Sequence, residues 1–386
     1  MQKESQRNKI FLLGIVCFNL ILWTALYTKL CLLNDGDYYA HNLIAELLIK
    51  GEFMVAYPGY HILVGGLHAL TGLPTIYTAI PILTLAQLLS VWVVYKTILL
   101  LTDEQLGKTK ALGIATVVRM IMPIMFTGYA PGFSSCNTYT SPTQKLVEPF
   151  IFLAIFFYFR ERKKGFSAKD QFGVMLAILL TCFFKPMFPM AFIPTVGITE
   201  LYSVIKEREQ KPICTLVMRL WPEFIGGLAL IFQYWFSGTL HFDNALTAGV
   251  SGDTSIRIGF LHTWGHMVDN VWISILMVYL LPLLYYICNR TEMHHRIREA
   301  VVIYVIVSFF MMAFLYQSGE AYEYAANFRN AWIYSYYLVY LLVFCDWAWK
   351  ILVKKEALLS KRMLPATMLG GLQTLLGFFY IASKII

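Results

Sequence analysis

Charge is what this chain has least of. Asp, Glu, Lys and Arg together make up 14% of its 386 residues, against 58% hydrophobic residues and a mean hydropathy of +0.60. A soluble domain of this length needs a charged shell of ordinary extent around its core, so the composition excludes a conventional water-soluble fold. Long polar stretches are missing too, which leaves 1–386 as one transmembrane domain without a globular appendage. The seven cysteines, at 17, 31, 136, 182, 214, 288 and 345, are scattered and mostly lie in apolar runs. They form neither a metal spacing nor a disulfide framework, and read as small apolar fillers. No evident internal repeat occurs, which counts against a transporter built from duplicated halves.

What the chain does have is apolar runs, repeated from one end to the other and long enough to cross a hydrocarbon core of ~30 Å. The first, 10–33, is too long for a signal-peptide core and lacks a small-residue cleavage site, so it is expected to stay as an anchor. The net charge of +8 could point to nucleic acid, but its distribution does not. Most basic residues fall in six short segments between apolar runs: 3–9, 108–110, 160–169, 206–219, 290–298 and 350–362. That is the positive-inside pattern of cytoplasmic loops, and it calls for no nucleic-acid partner.

Orientation follows from those segments. The N-terminus lies inside and 10–33 exits. Two apolar stretches, 60–70 and 75–101, then precede Lys108 and Lys110. If both crossed, every later basic loop would be inverted. The segment 34–74 therefore reads as an outer loop of juxtamembrane helices that dip into the interface. The remaining spans are predicted at 75–101, 111–129, 146–160, 171–185, 188–205, 217–237, 269–289, 300–317, 332–350 and 364–383, for about eleven in all. The expected class is an all-α polytopic membrane protein of the multi-pass type. Residues able to do chemistry concentrate in the outer segments 34–74, 130–146, 185–187, 238–268 and 318–331, and the ionisable ones are expected at membrane boundaries.

The first outer loop carries the densest constellation. It reads Asn34-Asp35-Gly36-Asp37-Tyr38-Tyr39-Ala40-His41 and runs on to Tyr57-Pro58-Gly59-Tyr60-His61. Asp37 and His41 are spaced i, i+4, so a helix puts them on one face within reach of each other. Asp37 is equally placed to cap the helix that follows. At a water–lipid boundary such a carboxylate can act as general base toward a hydroxyl, or hold a divalent cation (Mg or Mn) that steadies a phosphate leaving group. His61, Tyr57 and Tyr60 are also residue types that simply favour the interface.

An acid just after the first span, the Asp-x-x-x-His continuation, and a Tyr-Pro-x-Tyr-His stretch leading to an apolar helix and a Gly-Leu-Pro turn together resemble the C-type membrane glycosyltransferases (GT-C). That family includes protein O-mannosyltransferases and the lipid A aminoarabinose transferase. The resemblance covers about residues 10–110 and is architectural beyond. It implies a GT-C-like bundle in a bacterial plasma membrane, with amphipathic juxtamembrane helices in the first outer loop. It also implies sugar transfer from a polyprenyl-phosphate donor to a glycan, lipid or protein acceptor on the outer face. Asp37 would be the base, with Asp35 the close alternative and His41 beside them. The family's second acid has no clear counterpart in mid-loop, and Glu148 in the following helix is the candidate.

A lipid-phosphate donor needs cations near the outer interface. Lys145, Lys185, Arg257 and Arg329 escape the positive-inside pattern there. Arg329 is preferred, because a guanidinium grips phosphate oxygens in pairs, and Lys185 comes next. Local acids such as Glu320 and Glu323 are competing partners. His262 and His266 share a spacing that can bind metal, but no HExxH motif accompanies them and Trp264 suggests an interfacial helix. Two other readings stay open: a polysaccharide polymerase or ligase using polyprenyl-linked sugars, and a lipid-linked oligosaccharide flippase or transporter, which would place ionisable groups at mid-bilayer.

Overall fold

In the computed structural model the described residues are all but 1, 34, 56, 125–138, 209, 240–255, 318–327 and 359. About 80% of the described residues are helical. The helices run α1 (Gln2–Leu33), α2 (Tyr38–Ile49), α3 (Gly59–Thr71), α4 (Thr75–Leu101), α5 (Lys108–Val118), α6 (Pro142–Lys164) and α7 (Ala168–Phe184). They continue α8 (Met187–Glu207), α9 (Pro212–Thr239), α10 (His262–Met267), α11 (Val271–Cys288), α12 (His295–Phe314), α13 (Arg329–Leu352) and α14 (Leu364–Ile385). One feature departs from an all-helical expectation. β1 (Ile256–Ile258) and β2 (Leu315–Gln317) pair antiparallel, with Arg257 opposite Tyr316.

Eight helices among the described residues are long and apolar enough to cross a membrane: α1, α4, α8, α9, α11, α12, α13 and α14. They coincide with eight of the predicted spans, and the protein is an all-α polytopic membrane protein in that sense. The other three predicted spans fall on α5, α6 and α7. The expected continuous helix over 111–129 stops at Val118. Pro123 explains the stop: its ring has no N–H and clashes with the carbonyl four residues back, which is that of Arg119. Residues 121–124 run without helix, and the Met122 N–H donates instead to the Gln373 carbonyl of α14 (3.3 Å). The span predicted over 146–160 belongs to a longer helix. α6 starts at Pro142, where a missing N–H costs nothing, and reaches Lys164.

The segment 34–74 folds as two short helices packed on each other. With 12 and 13 residues, α2 and α3 rise roughly 18–20 Å, well short of a ~30 Å core. Their closeness is built from small residues. A Cβ on Gly65 of α3 would come within 2.5 Å of the Ala45 carbonyl of α2, so a larger side chain there forces the two helices apart. α13 forms the centre of the bundle and is its most enclosed span, packed against α5, α8, α11 and α12.

Not every buried ionisable group stands at a helix end. Arg119 caps α5 and Lys145 lies in the first turn of α6, but Glu148 is fully buried in the second turn of α6 and Glu223 is buried near the midpoint of the candidate span Pro212–Phe236.

Candidate active site

The turn after α1 is fixed by its backbone. The Asp35 N–H donates to the Leu30 carbonyl (3.1 Å), and the Asp37 N–H donates to the Thr140 carbonyl just before α6 (2.9 Å). Gly36 between them has φ +61°, and a Cβ there would lie 2.5 Å from that same carbonyl oxygen. Only glycine fits both demands. Tyr38, fully buried, adds a second clasp, its hydroxyl donating to the Tyr139 carbonyl (3.0 Å).

The two candidate acids therefore end in different surroundings. Asp35 forms an ion pair with Lys384 at the end of α14 (2.5 Å). Asp37 occupies the N-cap position of α2, but its carboxylate makes no capping hydrogen bond and is exposed. The cap reading thus holds for the position and not for the side chain. The His41 backbone N–H donates to the Asp37 carbonyl (3.1 Å), but its ring turns to His61. Its Nδ1 lies 3.1 Å from Nε2 of His61, and one of the two rings donates. Burial, followed by the neighbouring His61 and Lys185, pushes His41 down to about 3. Burial pushes His61 down to about 4. Both imidazoles are neutral at neutral pH, so they offer polar N–H and lone-pair groups and no charge. The His61 Nδ1 is buried without a hydrogen-bond partner. Tyr60 is fully buried and its hydroxyl donates to Asn42 Oδ1 (2.8 Å), which makes it a brace between α3 and α2. Tyr57 is half-buried at the bend before α3.

Lys185 and Arg329 both stand in the field of Asp37. Lys185 sits in the break between α7 and α8, with its Nζ 3.4 Å from Thr143 Oγ1 in the first turn of α6. It stands within the electrostatic reach of both Asp37 and Arg329, and Arg329 within that of Asp37. Arg329 is the first residue of α13. The group thus gathers the N-terminal ends of four helices: α2 at Asp37, α6 at Thr140 to Thr143, α8 after Lys185 and α13 at Arg329. Helix N-termini carry unsatisfied N–H groups and the positive end of the helix dipole, and favour anions. Two cations thus stand within electrostatic reach of one exposed carboxylate.

Deeper in the bundle, Glu148 is bound from two sides. Lys145 Nζ lies 2.6 Å from one oxygen, and Arg119 pairs with the other. Arg119 also donates to Gln87 Oε1 (3.2 Å), and its guanidinium lies over Phe152 (5.0 Å) and Tyr337 (5.6 Å). Glu148 is therefore the carboxylate of a buried ion network, one turn into α6 from the Lys185 contact.

Arg257 lies apart on the exposed strand β1. His262 stacks on Tyr316 with ring centres 4.3 Å apart, and Trp264 is fully buried. Asn34, Cys136, Asn137, Glu320, Glu323 and the acids at 243 and 253 lie outside the described residues. The described residues around Asp37 offer few ligands for a divalent cation. Among the described residues no three His, Cys, Asp or Glu side chains are arranged to hold a metal ion. The two imidazoles are bonded to each other, Asp35 is taken by Lys384, and cations already fill the field around Asp37.

Sequence reasoning missed Arg119 and Lys384. Arg119 had a signal, a lone arginine in an apolar run four residues before a proline. Lys384 had none, because its partner lies 349 residues away. No protein-family model matches this chain, and no curated protein matches it.

Proposed function

We propose that this protein is a membrane glycosyltransferase of the GT-C type. It moves a sugar from a polyprenyl-phosphate-linked donor to a glycan, lipid or protein acceptor at the outer face of a bacterial plasma membrane. The observation that carries the reading is the exposed Asp37 carboxylate within electrostatic reach of Lys185 and Arg329, beside the first turns of α2 and α6. A base beside a strong anion site at a membrane boundary is what phosphate-activated sugar transfer requires.

In this reading Asp37 takes the proton of the acceptor hydroxyl, and the hydroxyl oxygen forms a bond to the anomeric carbon. The bond from that carbon to the phosphate oxygen breaks, and its electron pair stays on the phosphate. Lys185 and Arg329 stabilise that leaving group, Arg329 through paired N–H contacts. His41 and His61 remain neutral, so they hydrogen-bond to substrate without adding to the charge that holds the phosphate. The Arg119–Glu148–Lys145 network fixes the first turns of α6 beneath the site. Charge bias supports eleven crossings, with α5, α6 and α7 among them, the N-terminus in the cytoplasm and 34–74 outside.

The test is transfer of labelled sugar from a synthetic polyprenyl-phosphate donor by the full-length protein in nanodiscs. Asp37→Asn should lower turnover by ~10²–10⁴-fold with the melting temperature unchanged. Full turnover in both Asp37→Asn and Asp35→Asn would remove the base from the scheme.

A further inference from the structure

A second group of charged residues lies at the other end of α6, where it meets α7, α8 and α9. Glu200 of α8 is its hub. One oxygen accepts from Arg162 of α6 (2.7 Å), the other from Arg219 of α9 (3.2 Å), and Tyr158 donates to it at 3.4 Å. Arg162 also donates to Ser203 Oγ (2.9 Å). Glu161 accepts from Gln171 of α7 (3.2 Å), whose amide oxygen accepts from Trp221 of α9 (2.5 Å). Beside them Arg160 pairs with Asp170.

Glu223 of α9 completes the group and differs from the rest. It is 5% exposed, its Oε2 is buried without a hydrogen-bond partner, and its carboxyl lies in the fields of Glu161 and Glu200. Four carboxylates (Glu161, Asp170, Glu200, Glu223) therefore face three guanidinium groups (Arg160, Arg162, Arg219). The other basic residues at this end are committed elsewhere or face solvent. Lys163 binds the Leu100 carbonyl and Asp103, Lys206 binds Glu299, and Arg296 binds Glu207. Lys164 and Lys169 are exposed. On and beside α12, packed against α6 and α8, His294 and Glu299 both feel Arg162, and the half-buried Arg298 lies in the field of Tyr286. One negative charge is left over in a buried joint of a membrane bundle, where an unpaired carboxylate is far costlier than a neutral carboxyl.

We propose that this joint is a proton-binding site: Glu223 holds one exchangeable proton in the field of Glu161 and the arginine-bound Glu200. A metal cation is the other way to balance the charge. It is disfavoured because Glu200 spends both oxygens on arginines, and no three acidic or imidazole groups among the described residues converge as ligands. The site joins four helices, so taking up or losing the proton changes the charge on which α9 docks. It stands independently of the transfer reaction proposed above.

Infrared difference spectroscopy of the full-length protein in nanodiscs reads the proton directly. The wild type should show a protonated-carboxyl band at about pH 6 that disappears by about pH 9. Glu223→Gln, an isostere of the neutral acid, should lose that band while keeping its fold. The melting temperature gives an independent reading. A proton held more tightly when folded makes stability fall as pH rises, so the wild type should lose thermal stability over that range and Glu223→Gln should lose less. A wild type without a titrating carboxyl band overturns the proposal, as does a band that survives in Glu223→Gln. A band that responds to sodium at fixed pH also overturns it, and assigns the balancing charge to a metal cation.

Discussion

Asp37 and Asp35 are two residues apart and chemically alike, yet their partners separate them. Asp35 is held by Lys384, whereas the Asp37 carboxylate caps nothing and is exposed. The pair His41–His61 gives the same site a definite pH dependence. With His41 near 3 and His61 near 4 when folded, against about 6.5 for a free imidazole, the unfolded chain binds protons that the folded chain refuses. Stability is therefore full above about pH 6.5 and is lost as pH falls toward 4. His61→Gln removes one of these groups, and thermal melting followed from about pH 7 down to about pH 4.5 should give a shallower decline than the wild type. An equal decline would show that the histidines do not govern it.

At the scale of elements, two glycines hold the architecture where helices meet irregular backbone. Gly36→Ala places a side chain at φ +61° and against the Thr140 carbonyl, and should cost about 1–3 kcal/mol. The loss should appear as faster amide exchange in 35–41 than elsewhere. Gly377 of α14 lies so close to the Met120 carbonyl that any Cβ must displace that backbone. Gly377→Ala should therefore destabilise the protein by about 1–3 kcal/mol, measured by thermal melting, while Gly371→Ala, which meets nothing within 4 Å, should leave it nearly unchanged.

How much of this was legible before the structure depends on range. The short helices of 34–74 and the unusual placement of Lys185 and Arg329 are local or charge-bias signals that could be read, whereas the Asp37–His41 spacing suggested a contact that His61 takes instead. The pairing of His41 with His61, the capture of Asp35 by Lys384 and the turn of Arg119 toward Glu148 are choices among distant partners, which spacing cannot rank. The break at Arg119 was readable from Pro123 but was masked by the apolar run around it. Glu200 and Glu223 hid in helices whose average hydropathy is that of a span.

For the whole molecule, the eight candidate spans among the described residues, with α2 and α3 too short to cross, fit a chain whose first interhelical segment rests at one interface. Lys50, at the end of α2, reports which one. Lys50→Cys should react with a membrane-impermeant maleimide added from outside to intact cells, and reaction only after permeabilisation would invert the topology. The central claim is that the Asp37–Lys185–Arg329 group binds a lipid-linked phosphate, and mass spectrometry of lipids bound to the purified full-length protein tests it most directly. Polyprenyl phosphate or its sugar-linked form should co-purify with the wild type and fall roughly 10-fold or more in Lys185→Met/Arg329→Met, given what charge-assisted hydrogen bonds contribute. Absence of polyprenyl lipid from the wild type, or equal retention by the double variant, would contradict the account.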